Sequence, residues 1–300
     1  MTTRVSLEML TNATLANIQL STSRMQKLQE QISTGKKVNR PSDNPADARK
    51  ILNLNSEFTR LEKYSSNIQT SIQSLEFNAS VLDNLANLVQ RAQELTVQGV
   101  NGTMDQTGRN IIANEINQLL ESALQDANST RLGRYIFAGT EIATTPFEAT
   151  RNSGGDISTV TYKGNREKIE YLVGPGIRVQ VNQPGEEAFI DNKLFDTIIK
   201  IRDNLKSGAI SFASAELDNI ENAHNSILNL ISKAGSVTST LELTNNRIED
   251  TKFSIKDVIG ATESADISEL ILKLKEQENI FQASLASGAL VFRTNILDFL

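Results

Sequence analysis

The sequence contains no cysteine, no tryptophan and a single histidine. Without cysteine, disulfides, thiolate metal sites and cysteine nucleophiles are excluded from these 300 residues. With only one imidazole, a pair of histidine metal ligands is excluded as well. Aromatic residues make up only 5% of the chain. Because Leu, Ile, Ala, Asn, Ser, Gln and Glu dominate instead, the composition indicates long helices with narrow apolar seams rather than a compact enzyme core.

The sequence also lacks an excess of positive charge and any long apolar run. Its net charge of −6 argues against general nucleic-acid binding, because neutralising phosphates requires clustered Lys and Arg. No stretch approaches the roughly 18 apolar residues that cross a bilayer. The first residues lack the basic and then apolar order of a cleavable signal peptide. We therefore expect a soluble chain with no membrane insertion, which would leave a cell without the common cleaved signal.

Both ends of the chain carry a narrow apolar stripe at heptad spacing on an otherwise polar segment. A stripe of this kind is buried only against another helix. Residues 1–44 and 264–300 are therefore predicted to form terminal helical arms that pair with each other or with a neighbouring molecule, so that the chain polymerises or docks. The side chains predicted to form the assembly interface are Leu7, Ile18, Met25, Leu28, Ile32, Ile267, Leu270, Leu274, Phe281, Leu285 and Phe292.

A segment rich in helix breakers follows the first arm. It also contains the signals that begin the next helix, because Asn44 is a natural N-cap and Pro45 suits the first helical position. We therefore predict a connector between the arm and the helices that follow it. The residues assigned to this connector are Arg40, Pro41, Asp43, Asn44 and Pro45.

Inside the arms, heptad-spaced apolar residues run through two long stretches. They predict a long helical rod domain in which residues 45–133 pack against residues 192–263. Short connections between helices favour antiparallel neighbours. The long helices of the rod are therefore expected to run in opposite directions.

Residues 134–191 show a different pattern, with apolar and polar residues alternating around turns. One predicted hairpin pairs residues 160–162 with residues 169–173, and a second turn follows at 174–176. This segment is predicted to be an inserted, β-rich outer domain. The predicted fold class is thus mainly α: a long antiparallel helical bundle with terminal coiled-coil arms and a small inserted antiparallel β domain.

No group of residues matches a catalytic or cofactor-binding motif. His224 falls on the heptad seam, where packing explains it better than catalysis. Asp43 and Asp47 could supply oxygen ligands, but their spacing does not match a calcium loop, and helix capping accounts for the same residues. We therefore predict a protein that is not an enzyme, with no catalytic residue, no cofactor and no metal.

Several segments resemble the flagellin superfamily. Residues 32–48, ISTGKKVNRPSDNPADA, are similar to the superfamily's N-terminal signature, and more closely to the branch found at the junction of hook and filament. Residues 133–140, GRYIFAGT, followed by Pro146-Phe147, are similar to the entry into that branch's outer domain. The final helix, 282–300, is similar as well. The resemblance spans nearly the whole chain.

The resemblance implies a structural component of the bacterial flagellum that joins the hook to the filament, with the arms of many copies packed into an inner tube. It implies export through the flagellar type III apparatus after a transient stage in the cytoplasm. The implied partners are copies of the chain itself, the preceding hook-associated junction protein, flagellin, and a cytoplasmic export chaperone on the C-terminal arm.

Three other interpretations stay open at this point. The chain could be filament flagellin, which belongs to the same class but occupies a different place in the organelle. It could be a cytoplasmic coiled-coil adaptor, which would form a stable, fully folded dimer. It could be an enzyme that uses His224 or the acids near residues 43–47.

Overall fold

The computed structural model describes the backbone of residues 2–209, 211 and 213–297, and the side chains within 9–209, 211 and 215–289. Six α-helices account for most of these residues, and a short π-helix, Glu186–Ile190, precedes the fourth. The helices are α1 (Thr2–Thr34), α2 (Pro45–Gly99), α3 (Gln106–Ala127), α4 (Leu194–Ser207), α5 (Ala213–Glu263) and α6 (Ile267–Leu297). None of the helices in this described part has an apolar stretch long enough to span a membrane.

Between α3 and α4 the chain forms three antiparallel pairs of short strands. The mainly α fold with a small inserted antiparallel β portion is thus confirmed. The pairs are β1 (Thr130–Arg131) with β2 (Arg134–Tyr135), β3 (Phe147–Arg151) with β4 (Ile157–Tyr162), and β5 (Glu170–Gly174) with β6 (Ile177–Gln180).

The predicted hairpin between residues 160–162 and 169–173 is wrong. β4 pairs instead with β3, so that Phe147 lies opposite Tyr162. After β4, the Tyr162 hydroxyl donates to the main-chain carbonyl of Asn165 at 3.0 Å, which stabilises the turn that leaves this sheet. The second predicted turn does form a hairpin, which joins β5 to β6.

The chain divides into two compact units, residues 1–60 with 250–300 and residues 61–249. In the larger unit, α3 packs on α4, and both contact β4. Their core includes a cluster of aromatic rings whose centroids lie 4.9 to 5.5 Å apart. The rings belong to Phe137, Phe147, Tyr162, Phe189 and Phe195.

Within the larger unit, α2 and α5 pack through a long apolar seam that includes Ile68, Leu75 and Leu241. A polar contact interrupts the seam, where the Ser65 hydroxyl lies 2.8 Å from the Asn245 side-chain oxygen and 2.9 Å from a carboxylate oxygen of Glu249. Ser65 lies beside Asn245 and Leu75 lies beside Ala234, so residue numbers rise along α2 as they fall along α5, and the two helices are antiparallel here. A polar contact within an apolar seam favours one register of two helices.

In the smaller unit, α1 packs along α6. At the base of this helix pair, the amide of Lys37 donates to the Glu263 carbonyl at 2.7 Å, and the amide of Ala265 donates to the Gly35 carbonyl at 3.0 Å. Gly35 has a φ of +69°, which a glycine adopts without steric cost. A short break separates the last two helices, because α5 ends at Glu263 and α6 begins at Ile267.

Candidate assembly interface

The two terminal helices pair with each other, in antiparallel register. The side chain of Gln277 donates to the hydroxyl of Ser21 at 2.6 Å, and Ser21 is buried. Nearer the chain ends, a Cβ on Gly288 would lie 3.2 Å from a methyl carbon of Thr14. Small side chains such as these let the two helices approach closely.

The predicted interface residues occupy different environments within this helix pair. Most of them are half-buried, and Leu270 is buried. Ile267 and Leu285 remain exposed. Leu7 and Phe292 lie outside the residues whose side chains are described. The half-buried members are Ile18, Met25, Leu28, Ile32, Leu274 and Phe281.

Pairing of α1 with α6 leaves many large apolar side chains exposed on both helices. Their exposed fractions run from 39% at Ile267 to 71% at Leu272. Among the described side chains, the set is Met9, Leu10, Leu15, Leu20, Ile267, Ile271, Leu272, Ile280 and Leu285. A concentration of exposed apolar side chains on one helix pair favours a site of interaction. Sequence reasoning found only Ile267 and Leu285 among them, because a heptad template assigns apolar residues to one narrow seam and overlooks most of those beside it.

The connector is held by a carboxylate and a helix cap. Asp43 accepts hydrogen bonds from the amides of Asn39 and Arg40, at 3.1 and 2.9 Å, and its other oxygen lies 2.8 Å from the Lys27 ammonium. The bond from Lys27, followed by the Arg40 amide, holds the pKa of Asp43 below its usual value. This carboxylate thus ties the connector back to α1.

Asn44 caps α2 as its sequence position predicts. Its side-chain oxygen accepts from the amides of Ala46 and Asp47 at 3.1 and 3.2 Å, and Pro45 is the first helical residue. Arg40 and Pro41 are exposed, and Arg40 pairs loosely with Glu30 at 3.3 Å. The capping interpretation of this segment therefore has direct geometric support.

Comparison with known proteins finds similarity to flagellar proteins. The description "Bacterial flagellin N-terminal helical region" matches residues 5–141. The chain is similar to flagellar hook-associated protein 3 of Salmonella typhimurium strain LT2, at 29% identity, and of Escherichia coli K12, at 31%. The N-terminal part of the chain thus resembles that of bacterial flagellins.

The matches to these relatives are partial. They cover 62% and 65% of this chain, and 56% and 57% of the two relatives. The chain therefore spans little more than half the length of the curated relatives that it matches. Flagellins are among the other relatives.

A solved structure shares the fold of this chain. A putative flagellar hook-associated protein from Vibrio parahaemolyticus superposes with a TM-score of 0.67 at 20% identity. The superposition covers 74% of this chain and 100% of that one. At this identity the likeness concerns the fold alone.

The residues considered for chemistry lie in packed or helix-capping positions of this chain. His224 lies half-buried on α5 between Ile220 and Ile227, which are both fully buried. Within the described residues, no three His, Cys, Asp or Glu side chains are grouped so as to hold a metal ion. Sequence reasoning overlooked Arg202, which is buried on α4 and donates to the Ile157 carbonyl at 2.6 Å.

Proposed function

We propose that this chain is a structural component of the bacterial flagellum, and that it joins the hook to the filament through packing of its terminal helices. The observation that carries the proposal is the apolar surface that α1 and α6 leave exposed after they pair. The names of the two hook-associated relatives support the place within the flagellum. We assign assembly to residues 1–44 and 264–300, helical support to 45–133 and 192–263, and an outer position to 134–191.

The exposed surface favours assembly with several neighbours over a single pairing. Nine large apolar side chains, each roughly half exposed, would contribute about 1 kcal/mol apiece when covered, or about 9 kcal/mol in all. The loss of translational and rotational freedom on association opposes this by about 4–15 kcal/mol. One contact is therefore marginal, whereas neighbours on both sides of the helix pair produce a stable array.

We also propose secretion after a transient cytoplasmic stage. The partners of the secreted chain would be copies of itself, the preceding hook-associated junction protein and flagellin. Before export, a cytoplasmic chaperone would cover the C-terminal arm. The apolar side chains on α6 support this step, because a chain that exposes Ile271, Leu272 and Ile280 needs protection from premature association. We assign no catalytic role to the chain, in keeping with the names of its relatives.

Filament flagellin is the second candidate, because flagellins share the N-terminal helical region and occur among the relatives. The two candidates differ in where the chain lies in a flagellum. Immunogold labelling of isolated flagella should mark the hook tip alone if the chain is the junction protein. Labelling along the filament would overturn that assignment in favour of flagellin.

A swimming assay tests whether assembly depends on the terminal arms. We expect a chain that lacks residues 1–34 and 264–297 to fail to restore motility to a strain without its own junction protein. The matched control is Val97→Asp, which adds a charge at an exposed apolar position outside the arms and should leave motility intact. Restoration of swimming by the doubly truncated chain would refute assembly through the arms.

A further inference from the structure

The hairpin of β1 and β2 carries an apolar residue where the backbone disfavours one. Leu132 and Gly133 form its two-residue loop, with φ values of 52° and 75°. Turns of this type favour Asn, Asp or Gly, because a bulky side chain crowds the backbone at positive φ. The Leu132 side chain is also 90% exposed, so no contact within the chain compensates for the strained backbone.

Two arginines flank this exposed leucine. Arg131 donates to the Ser74 hydroxyl at 2.6 Å and to the Gln73 side-chain oxygen at 3.2 Å, and Arg134 is exposed. Neither guanidinium has a carboxylate partner in the described part of the chain. The tip of the hairpin is therefore an apolar side chain between two cations whose charge is not neutralised.

A cavity of about 500 Å³ opens beside the hairpin. Leu132 and both arginines contribute to its wall, together with the rings of Tyr135 and Tyr171. Acidic residues are missing from this described lining. The site has room for a large side chain and favours one that carries negative charge beside it, because a guanidinium binds carboxylates and stacks on aromatic rings.

An exposed feature of complementary charge occurs on α5. Phe253 is 75% exposed, which makes it second only to Leu132 among the large apolar side chains of the described residues. Asp250 and Asp257 lie one turn away on either side of it and are exposed. Lys252 and Lys256 are close to Phe253 in the sequence, but their ammonium groups lie over a different ring. They are 5.6 and 4.9 Å from the ring centroid of Phe58.

We propose that the hairpin tip of one copy, with Leu132 between Arg131 and Arg134, receives Phe253 and its flanking aspartates from a second copy. The partner is another copy because the same chain carries both halves, and their charges are complementary. A contact between two different patches repeats from copy to copy instead of closing as a symmetric dimer. This proposal rests on the proposed function in one respect, which is that copies of the chain must come into contact.

The absence of cysteine makes a direct test possible, because an introduced cysteine is the only thiol in its chain. Chains with Thr130→Cys and Ser254→Cys are mixed with a short bismaleimide, so that the proposed apolar residues stay in place. The matched control replaces the second chain with Ser239→Cys, an exposed serine on the same helix. We expect the 130–254 heterodimer to form about tenfold faster than the 130–239 heterodimer, as a preference of about 1.4 kcal/mol gives.

Charge reversal then tests the pairing itself. Arg134→Glu in the first chain should slow the 130–254 reaction to the rate of the control. Adding Asp250→Lys and Asp257→Lys to the second chain should restore it. Equal rates for 130–254 and 130–239, or a 130–254 rate that Arg134→Glu leaves unchanged, would overturn the proposal. A chain that gives either result but labels the hook tip would keep its proposed function and would lack this contact between copies.

Leu132→Asn separates a contact residue from a structural one. Asn suits a positive φ, so we expect the thermal midpoint of the full chain to rise by about 2 °C. Cross-linking between positions 130 and 254 should fall at the same time. If the midpoint falls together with cross-linking, Leu132 stabilises its own hairpin and the proposal is wrong.

Discussion

Leu270 and Leu272 form a matched pair on α6 that separates folding from assembly. Leu270 is 8% exposed, whereas Leu272, two residues away, is 71% exposed. Leu270→Ala should lower the free energy of unfolding of its unit by about 2 kcal/mol, because it removes buried surface and leaves a partial cavity. Leu272→Ala should change that free energy by less than about 0.5 kcal/mol, as at other exposed sites.

For assembly, position 272 should matter more than position 270. If copies cover the outer face of α6, Leu272→Asp buries a charge in every contact, and motility and junction formation should be lost although the isolated chain stays folded. Thermal unfolding followed by circular dichroism measures the first effect, and swimming with immunogold counts at the hook tip measures the second. A Leu272→Asp chain that assembles normally would refute the assignment of this face to intermolecular contact, and so would Leu272→Ala destabilising the isolated chain as much as Leu270→Ala.

Three further predictions concern stability. Arg202→Ala should destabilise the larger unit by about 2–3 kcal/mol in denaturant titrations, because it removes a buried side chain and leaves the buried Ile157 carbonyl without its donor. A loss below about 1 kcal/mol would contradict this. The pKa of Asp43 is lowered in the folded chain, so the contribution of its bond with Lys27 to the free energy of unfolding should be complete at neutral pH and decline from about pH 4 downward. Asp43→Asn should remove this pH dependence, and an unchanged pH profile of stability would count against the prediction. Gly139→Ala should lower the thermal midpoint, since a Cβ there overlaps the Asn165 carbonyl and φ is +70°; an unchanged midpoint would show that the loop relaxes freely.

The helices could be predicted from the sequence because their cause is local. Heptad spacing, the Asn44 cap and the breaks near Gly35 and Gly260 act within a few residues of the chain, and the helix bounds follow them closely. The pairing of α1 with α6 was one of two partners that the stripes allowed. The choice depends on contacts between residues far apart in the chain, such as Ser21 and Gln277, which are separated by 256 positions, and no local pattern specifies these.

The strand pairing and much of the candidate interface could not be predicted. β3 carries only five residues, and Glu148 and Arg151 make it resemble a loop, so its pairing with β4 depends on burial of Phe147 in the aromatic cluster. The charge of Arg202 likewise suggested solvent exposure, whereas the fold surrounds it with acceptors. The outward apolar residues of the arms lie off the heptad seam, so a template for paired helices did not identify them.

The antiparallel pairing of the first helix with the last has a consequence for the order of events. Residues 2–34 are translated before residues 267–297, so α1 has no partner until α6 has been made. Neither helix alone carries the completed surface that neighbouring copies would recognise. If copies assemble through this helix pair, as we propose, a molecule that stops short of α6 would lack one half of the contact surface and would not be incorporated.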